Sequence, residues 1–522
     1  MKKQIVTVLM VVGVLALGQA QAASEQDWLG GTGNYADPNF WSGAAVPVAG
    51  DWAVINNGSA SVAIDANQAA YNVYVGADRD PNTDSFTGTG YSSNNTLTIS
   101  GASTTVDVGN RLFLSMNGYY NPIGGDYNKL IVTDGATLNV GGRITSGRDW
   151  DYADPASAFH NEVLVQNGAT INFTSAYDNT IMMYGGDLIV DNGTINSAGY
   201  VYAYSQSAAV SGQYMFLLKK GLVSAVGLEG GYGVGALRIG DGVGASGEAR
   251  VHLTDELFSG GGYASAQTPI DPYDPNGPKY PYGIGVVVKS DGIVSGTPYL
   301  RPDSYEAAAA FTMLIESGGQ IDPGAIDNST AGVMTHDGGT LKFASGGILD
   351  VDLFSAVSND KLLSGTGADF FTLDSGAILN VRKQGSYIPL PGDSWDVLGY
   401  ATRTGEFTVQ NSTGKAGLQF SMDYNDTAGA GTLSATAVGG DADLDGKVDG
   451  SDLAIMATNW LGAGNWLLAN FNGDAVINGS DLAIMATNWN YGVSDGSPVP
   501  EPTTLILLGL GAVTLIRRRR AA

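Results

Sequence analysis

The densest chemistry in the chain lies in twelve residues, "DADLDGKVDGSD", from Asp441 to Asp452. Asp441, Asp443, Asp445, Asp449 and Asp452 fall at loop positions 1, 3, 5, 9 and 12, with Gly446 at position 6. That spacing is the calcium-loop pattern, with Asp452 in place of the usual final Glu. Calcium is a hard cation that takes roughly six to eight oxygens, and alternate residues of a tight loop point inward to supply them. Five carboxylates this close repel one another strongly unless a cation sits among them. Lys447, at position 7, contributes only its backbone carbonyl. Val448, at position 8, is apolar and is expected to pair two such loops across a small core.

A second loop follows, "NFNGDAVINGSD". Here Asn470, Asn472, Asp474, Asn478 and Asp481 take positions 1, 3, 5, 9 and 12, and Val476 offers the position-7 carbonyl. Ala475 occupies position 6, where the turn prefers glycine. A left-handed Ala costs on the order of 1 kcal/mol, and with two carboxylates instead of five the second loop is expected to bind calcium more weakly or not at all. After each loop the chain repeats "GSDLAIMATNW", at Gly450–Trp460 and again at Gly479–Trp489. Leu453, Met456 and Trp460 share one face of a short helix, as do Leu482, Met485 and Trp489. Neither half buries its apolar face alone, so the two are expected to pack around a pseudo-twofold axis.

This duplicated loop-and-helix unit, residues 441–490, resembles a type I dockerin. The resemblance implies calcium binding and docking onto a cohesin-like domain that attaches a secreted protein to a scaffold or surface. Recognition in that family uses loop positions 10 and 11, which are Gly450 and Ser451 in the first half and Gly479 and Ser480 in the second. The residues seven and eight further along are Ala457-Thr458 and Ala486-Thr487 rather than a basic pair, so the choice of cohesin does not carry over. Gly439-Gly440 reads as a linker ahead of the module.

The long region at 23–437 must be read as the body that carries this module. Short alternating strands recur with Gly-centred turns in "NTLTISGASTTVDVG" from Asn95, "NKLIVTDGATLNVG" from Asn128, "NEVLVQNGATINF" from Asn161 and "GDLIVDNGTINS" from Gly186. Leu97, Leu130 and Val163 stand 33 residues apart, and Leu188 follows 25 later. A period of two gives strands with one buried face: Leu349, Val351 and Leu353 share one side, Asp350 and Asp352 the other. Units that cannot bury their faces alone must stack. The predicted fold is mainly β, a parallel β-helix or solenoid with irregular coils; tandem antiparallel β-sandwiches are the alternative, with turns such as "DGAT" closing hairpins. The opening "FWSGAAVPVAGDWAVINNGSASVAID" and the closing "PLPGDSWDVLGY" to "GTLSATAV" resemble the ends of autotransporter-like β-helical passenger domains.

Two Pro-, Asp- and aromatic-rich loops interrupt the repeats, at 147–160 and 268–283. Asp149, Asp151 and Asp154 with Trp150, Tyr152 and Arg148 are candidates for sugar or calcium binding, against the simpler reading of a solvated acidic loop. His160, His252 and His336 share no spacing that suggests a metal site or a triad, and are read as surface or turn residues. No catalytic set stands out among the 51 acids.

Both ends read as addresses. Lys2 and Lys3, the apolar stretch Ile5 to Leu17 and Ala20-Gln21-Ala22 form a signal peptide over residues 1–22. After a linker at 491–498, the segment 499–522 holds "VPEP", an apolar run from Thr504 to Ile516 and Arg517 to Arg520. This order resembles the PEP-CTERM sorting signal. It implies export to the outer surface, a transient membrane segment and removal by an exosortase-type protease. The formal charge is −26, which excludes nucleic acid as a partner. There is no cysteine for a disulfide or thiol chemistry. The preferred reading is a non-enzymatic surface or extracellular-matrix protein with a calcium-dependent attachment module. The alternative is a polysaccharide-binding or polysaccharide-degrading protein recruited through its dockerin.

Overall fold

The structure, a computed structural model, describes residues 24–76, 92–114, 127–146, 161–174, 179–183, 186–203, 216–230, 237–243, 248–259, 284–302, 312–365 and 370–493. The chain is mainly β, and its strands join one large sheet. The signal peptide, the sorting segment, His160 and both loops at 147–160 and 268–283 lie outside the described residues.

Pairing is parallel almost throughout, and it runs in three ladders. The first takes in Trp52–Ile55, Gln68–Val75, Thr105–Leu114, Ile144–Ser146 and Asn179–Met183, and continues through Tyr299–Pro302 to Ser394–Gly399. The second takes in Thr96–Ser100, Lys129–Thr133 and Glu162–Gln166, in the register Leu97 to Leu130 to Val163 to Leu188. The third includes Thr137–Val140, Thr170–Phe173 and, further along, Ile348–Ser355 and Ile378–Lys383. The longest strand, Phe216–Gly230, bends through all three. Antiparallel strand pairs among the described residues are confined to a small hairpin at Ile348–Ser355 and Ser358–Asn359 and to the closing strands Ser394–Gly399, Gln419–Asn425 and Ala430–Thr436. The "DGAT" turn therefore closes no hairpin: the strands on its two sides belong to different ladders. Asp134 and Gly135 are both left-handed there, with φ of 55° and 77°, as are Asn167 and Gly168 at the equivalent corner. Two such residues in succession turn the chain sharply enough to change ladder.

Each inward residue stacks on its register partner, and the stacked aliphatics form one continuous core from Trp28 to Ala435. The polar entry to three successive second-ladder strands is also buried. The Asn95 N–H donates to Asn128 Oδ1 at 2.9 Å, and the Asn128 N–H donates to Asn161 Oδ1 at 3.0 Å. The Ala60 N–H closes the series on Asn95 Oδ1. These three asparagines are the first residues of the repeats at Asn95, Asn128 and Asn161. Their amides satisfy backbone groups at a corner where the strand ladder has ended.

Both ends of the core are capped by aromatics. Trp28 stacks on Phe40 at 4.8 Å, Trp41 meets Trp28 and Tyr35 edge-on, and Trp41 Nε1 donates to Tyr35 O. At the far end Trp395 packs against Phe420. Beyond these closing strands come two short helices, α1 (Gly450–Asn459) and α2 (Gly479–Thr487), around a second core of Ala442, Val448, Met456, Ala469, Phe471, Ile477 and Met485.

The buried asparagine row separates two roles that look alike in sequence. Asn128→Ala leaves the Asn95 N–H without its acceptor inside the protein and should cost about 1–3 kcal/mol. Asn172, in the outer row that links Asn139, Asn172 and Asn196, should cost less than about 1 kcal/mol on the same change. Thermal melting of the two variants checks the difference.

Candidate metal centre

The first acidic loop is tightly folded on its own backbone. Asp452 sits at N3 of α1 and closes a capping box with Asp449, the N-cap. Its carboxylate accepts N–H bonds from Ala442 at 2.7 Å and Asp449 at 2.8 Å. Asp441 accepts from Asp445 and Gly446, and Asp445 from Lys447. The outcome is convergence: carboxylate oxygens of Asp441, Asp443 and Asp452 lie within 4.8 Å of one another. Asp441 and Asp452 are each 1% exposed. Burial, reinforced by Asp452 and Asp443, pushes the Asp441 carboxyl up to about 6, and burial raises Asp452 as well. Asp445 and Asp449 belong to the same loop but are not in that cluster of three.

The second loop repeats the frame with fewer charges. Asp481 caps α2 with Asn478 and accepts N–H bonds from Phe471 and Asn478. Asn472 and Asp474 bond to each other, and Asp474 accepts from Val476 N–H. The position-7 carbonyl, Val476 O, accepts from Asn478 Nδ2. Asn470 is 4% exposed; its Nδ2 donates to Gly464 O and Asp474 O, while its buried Oδ1 has no hydrogen-bond partner. An orphaned buried acceptor at position 1 suits a cation. The expected strain at Ala475 is absent. The left-handed residue in this loop is Gly473 at position 4, with φ 69°, whereas the first loop turns at both Leu444 (φ 59°) and Gly446 (φ 92°). The second loop follows a different path around its missing glycine.

The position-8 side chains, Val448 and Ile477, share the module core as expected, and their backbones make further bonds. Val448 bonds through its backbone to Asn490 and Tyr491, and Ile477 bonds to Leu461 and Gly462. Each loop is tied to the chain leaving the opposite helix, not to the other loop. Leu461 and Asn490, both left-handed, occupy equivalent places, so the pseudo-twofold extends to the helix exits. Gly450, Ser451, Gly479 and Ser480, at the two helix starts, are solvent-accessible and include no member of the module core.

The glycine pair ahead of the module is packed, not free. A side chain at Gly439 would strike Ile484, and one at Gly440 would press on Met485 and Val448. Asn488 Nδ2 donates to Gly439 O at 2.7 Å. The β-body also touches the first loop directly. Lys415 Nζ donates to Asp443 O at 2.9 Å, and Gly417 N–H donates to Leu444 O at 3.0 Å. A Cβ at Gly417 would run into Asp441 Oδ2.

A second acid cluster escaped the sequence reading. Asp350 and Asp352, expected on a solvent face, are 2% and 1% exposed. Asp322, Asp352 and Asp360 bring carboxylate oxygens within 4.8 Å of one another. Every oxygen of these three already has a donor. Arg382 bonds Asp322 and Asp352, Arg250 bonds Asp322, and Asp360 accepts from Gly332 and Asp352 N–H groups. The arginines join strands Ala249–Ser259, Gln320–Pro323, Ile348–Ser355 and Ile378–Lys383 in one ion-pair network. The alternation of Asp350 and Asp352 with Leu349 and Val351 gave the strand but not what covers its outer face. The histidines also differ from expectation: His252 and His336 both lie in strands, and His336 is fully buried against Phe371. His252 stands 3.1 Å from Ser295 Oγ, and burial lowers its basicity. The two are not part of one site.

Gly417 contributes no ligand atom, yet Gly417→Ala should displace Asp441 and weaken calcium binding at the first loop at least tenfold, read by calorimetric titration. Proton competition gives a second check. The folded pKa of Asp441 is raised, so without a cation its contribution to stability is present below the ordinary carboxylate value, about 3.9, and is lost as pH rises to about 6. The cation-free module should therefore melt lower at pH 6.5 than at pH 4.5, while calcium affinity should rise over the same interval.

Among the comparisons with known proteins, a family model described as the PEP-CTERM protein-sorting motif matches residues 498–520. No curated protein and no solved structure matches the chain. No helix among the described residues is long and apolar enough to cross a membrane, and the apolar run from Thr504 to Ile516 lies outside them. The chain thus carries a sorting motif that supports export, surface anchoring and processing by an exosortase-type protease.

Proposed function

We propose that this is an exported surface or matrix protein in which a parallel β-helix displays a calcium-stabilised, dockerin-like attachment module. The three parallel ladders, each strand stacked on the preceding turn of chain, support the β-helix reading. The observation that carries the module is the convergence of Asp441, Asp443 and Asp452 ahead of a helix capped by the same Asp452. The same frame recurs at Asn478 and Asp481. An all-oxygen donor set suits calcium. Asp441, Asp443, Asp445, Asp452 and the Lys447 carbonyl would hold the first ion, with Asp449 at the outer edge. Asn470, Asn472, Asp474, Asp481 and the Val476 carbonyl would hold the second, with Asn478 in the place of Asp449. Bound calcium would neutralise the carboxylates and fix both helix starts. That presents Gly450, Ser451, Gly479 and Ser480 as a paired surface for a cohesin-like partner.

Calcium at about a thousand times its dissociation constant stabilises a folded site by about 4 kcal/mol. Adding calcium to the chelated chain should therefore raise the melting midpoint of the module by several degrees. Asp441→Ala with Asp445→Ala should remove most of that rise. An unchanged midpoint in the unsubstituted chain would defeat the calcium reading. Capture of a cohesin-type domain should be lost both on chelation and on Ser451→Tyr with Ser480→Tyr.

A further inference from the structure

The outward face of the first ladder carries a second cluster of chemistry, far along the sheet from the acidic loops. Register places Tyr202, Glu229 and Arg301 in one row and Tyr200, Gly227, Glu256 and Tyr299 in the next. The four strands that bear them, Tyr200–Ala203, Phe216–Gly230, Ala249–Ser259 and Tyr299–Pro302, span about 14 Å at the usual strand spacing. Tyr200 and Tyr202 lie with ring centroids 6.0 Å apart. Gly227 leaves the space that the Tyr200 ring fills, because a Cβ there would strike the ring. Tyr299 is 50% exposed.

The polar groups are arranged between these rings. Glu229 lies directly across from Tyr202 and diagonally across from Glu256 on the next strand. Burial, with Glu256 adjacent, pushes the Glu229 carboxyl up to about 8. Arg301 pairs with Glu256, and the Tyr200 hydroxyl donates to Asp255. The cluster therefore offers carboxyl groups, a guanidinium and tyrosine faces on one accessible strip.

We propose that this strip, centred on Tyr200, Tyr202, Glu229, Glu256, Tyr299 and Arg301, binds an uncharged, hydroxyl-rich glycan. Tyrosine rings present apolar faces to the C–H side of a sugar, and the carboxyl pair and Arg301 supply acceptors and donors for its hydroxyls. The acids Glu229, Asp255 and Glu256 outnumber the single arginine, so a uronate or sulfated chain is disfavoured. The strip rests on the reading of an exported surface protein but on neither calcium loop.

The test is affinity electrophoresis of the purified full chain through gels carrying glucans, mannan, xylan or galactan, with alginate and a sulfated galactan as charged arms. Retardation by at least one neutral glycan and by neither charged one is expected. Tyr299→Ala, at a half-exposed position, should weaken retention at least tenfold, and Glu256→Gln should weaken it severalfold, each with an unchanged melting midpoint. Asp441→Ala with Asp445→Ala should leave retention intact, which separates this strip from the calcium module. No retardation by any neutral glycan, equal retention by alginate, or full retention in both strip variants would overturn the proposal. Release of reducing ends would overturn it as well, because the carboxyl pair would then be catalytic.

Discussion

Stacking of each turn of chain on the previous one is the constraint from which the rest of the molecule follows. A parallel ladder gives a strand hydrogen-bond partners on both sides but no close return through a tight hairpin. The chain must travel around the core before it meets itself, so residues about 33 positions apart become neighbours. Leu97, Leu130 and Val163 stack because of this, and so do Asn95, Asn128 and Asn161. With no cysteine in the chain, this stack of aliphatics and buried amides takes the place that cross-links hold in many exported proteins. The aromatic ends, Trp28 with Trp41 and Trp395 with Phe420, cover the first and last layers, where no further coil is available.

The same constraint decides where chemistry can sit. Inward positions are committed to the stack, and outward positions form rows across coils. An outward row places residues far apart in sequence side by side, and the row fills with whatever types those strands supply. In one place neighbouring rows bring Arg250, Asp322, Asp350, Asp352 and Arg382 into one buried ion-pair network. A buried network of this kind is weak evidence for net stability, but losing one member leaves a charge unpaired. It is therefore better read as fixing the register of the four strands it joins. In another place two adjacent rows assemble three tyrosines, two glutamates and an arginine on an accessible strip.

The sequence made the period legible and left the rows hidden. Alternation within "ILDVDL" and the 33-residue spacing both report contacts that repeat, so they survive as patterns. Asp350 and Asp352 followed the alternation correctly and were still misjudged, because nothing local records that a distant arginine covers them. Glu229 and Glu256 are likewise unremarkable as letters; only the register between two strands makes them a pair. The acidic loops were legible for the opposite reason. Their candidate oxygens lie within twelve residues, so spacing alone brings them into one loop. What spacing missed there was also nonlocal: the exits of the helices that clasp Val448 and Ile477, and the turn at Lys415 and Gly417.

That turn changes what the module is attached to. A glycine pair in a sequence reads as a hinge, but Gly439 and Gly440 are glycines because helix α2 and Val448 leave no room for a side chain. The Asp441 carboxylate is walled on one side by Gly417 of the β-body, and the backbone of Asp443 and Leu444 is held by Lys415 and Gly417. A cation drawn to Asp441 would therefore order the junction as well as the loop. Its charge would relieve the acids that press against the closing turn, and the rigid loop would in turn hold that turn in place. The second loop has no such wall among the described residues, and its position-1 side chain is an amide. A cation at the first loop would thus bear on the seat of the module on the body, whereas one at the second would bear only on the helix it precedes.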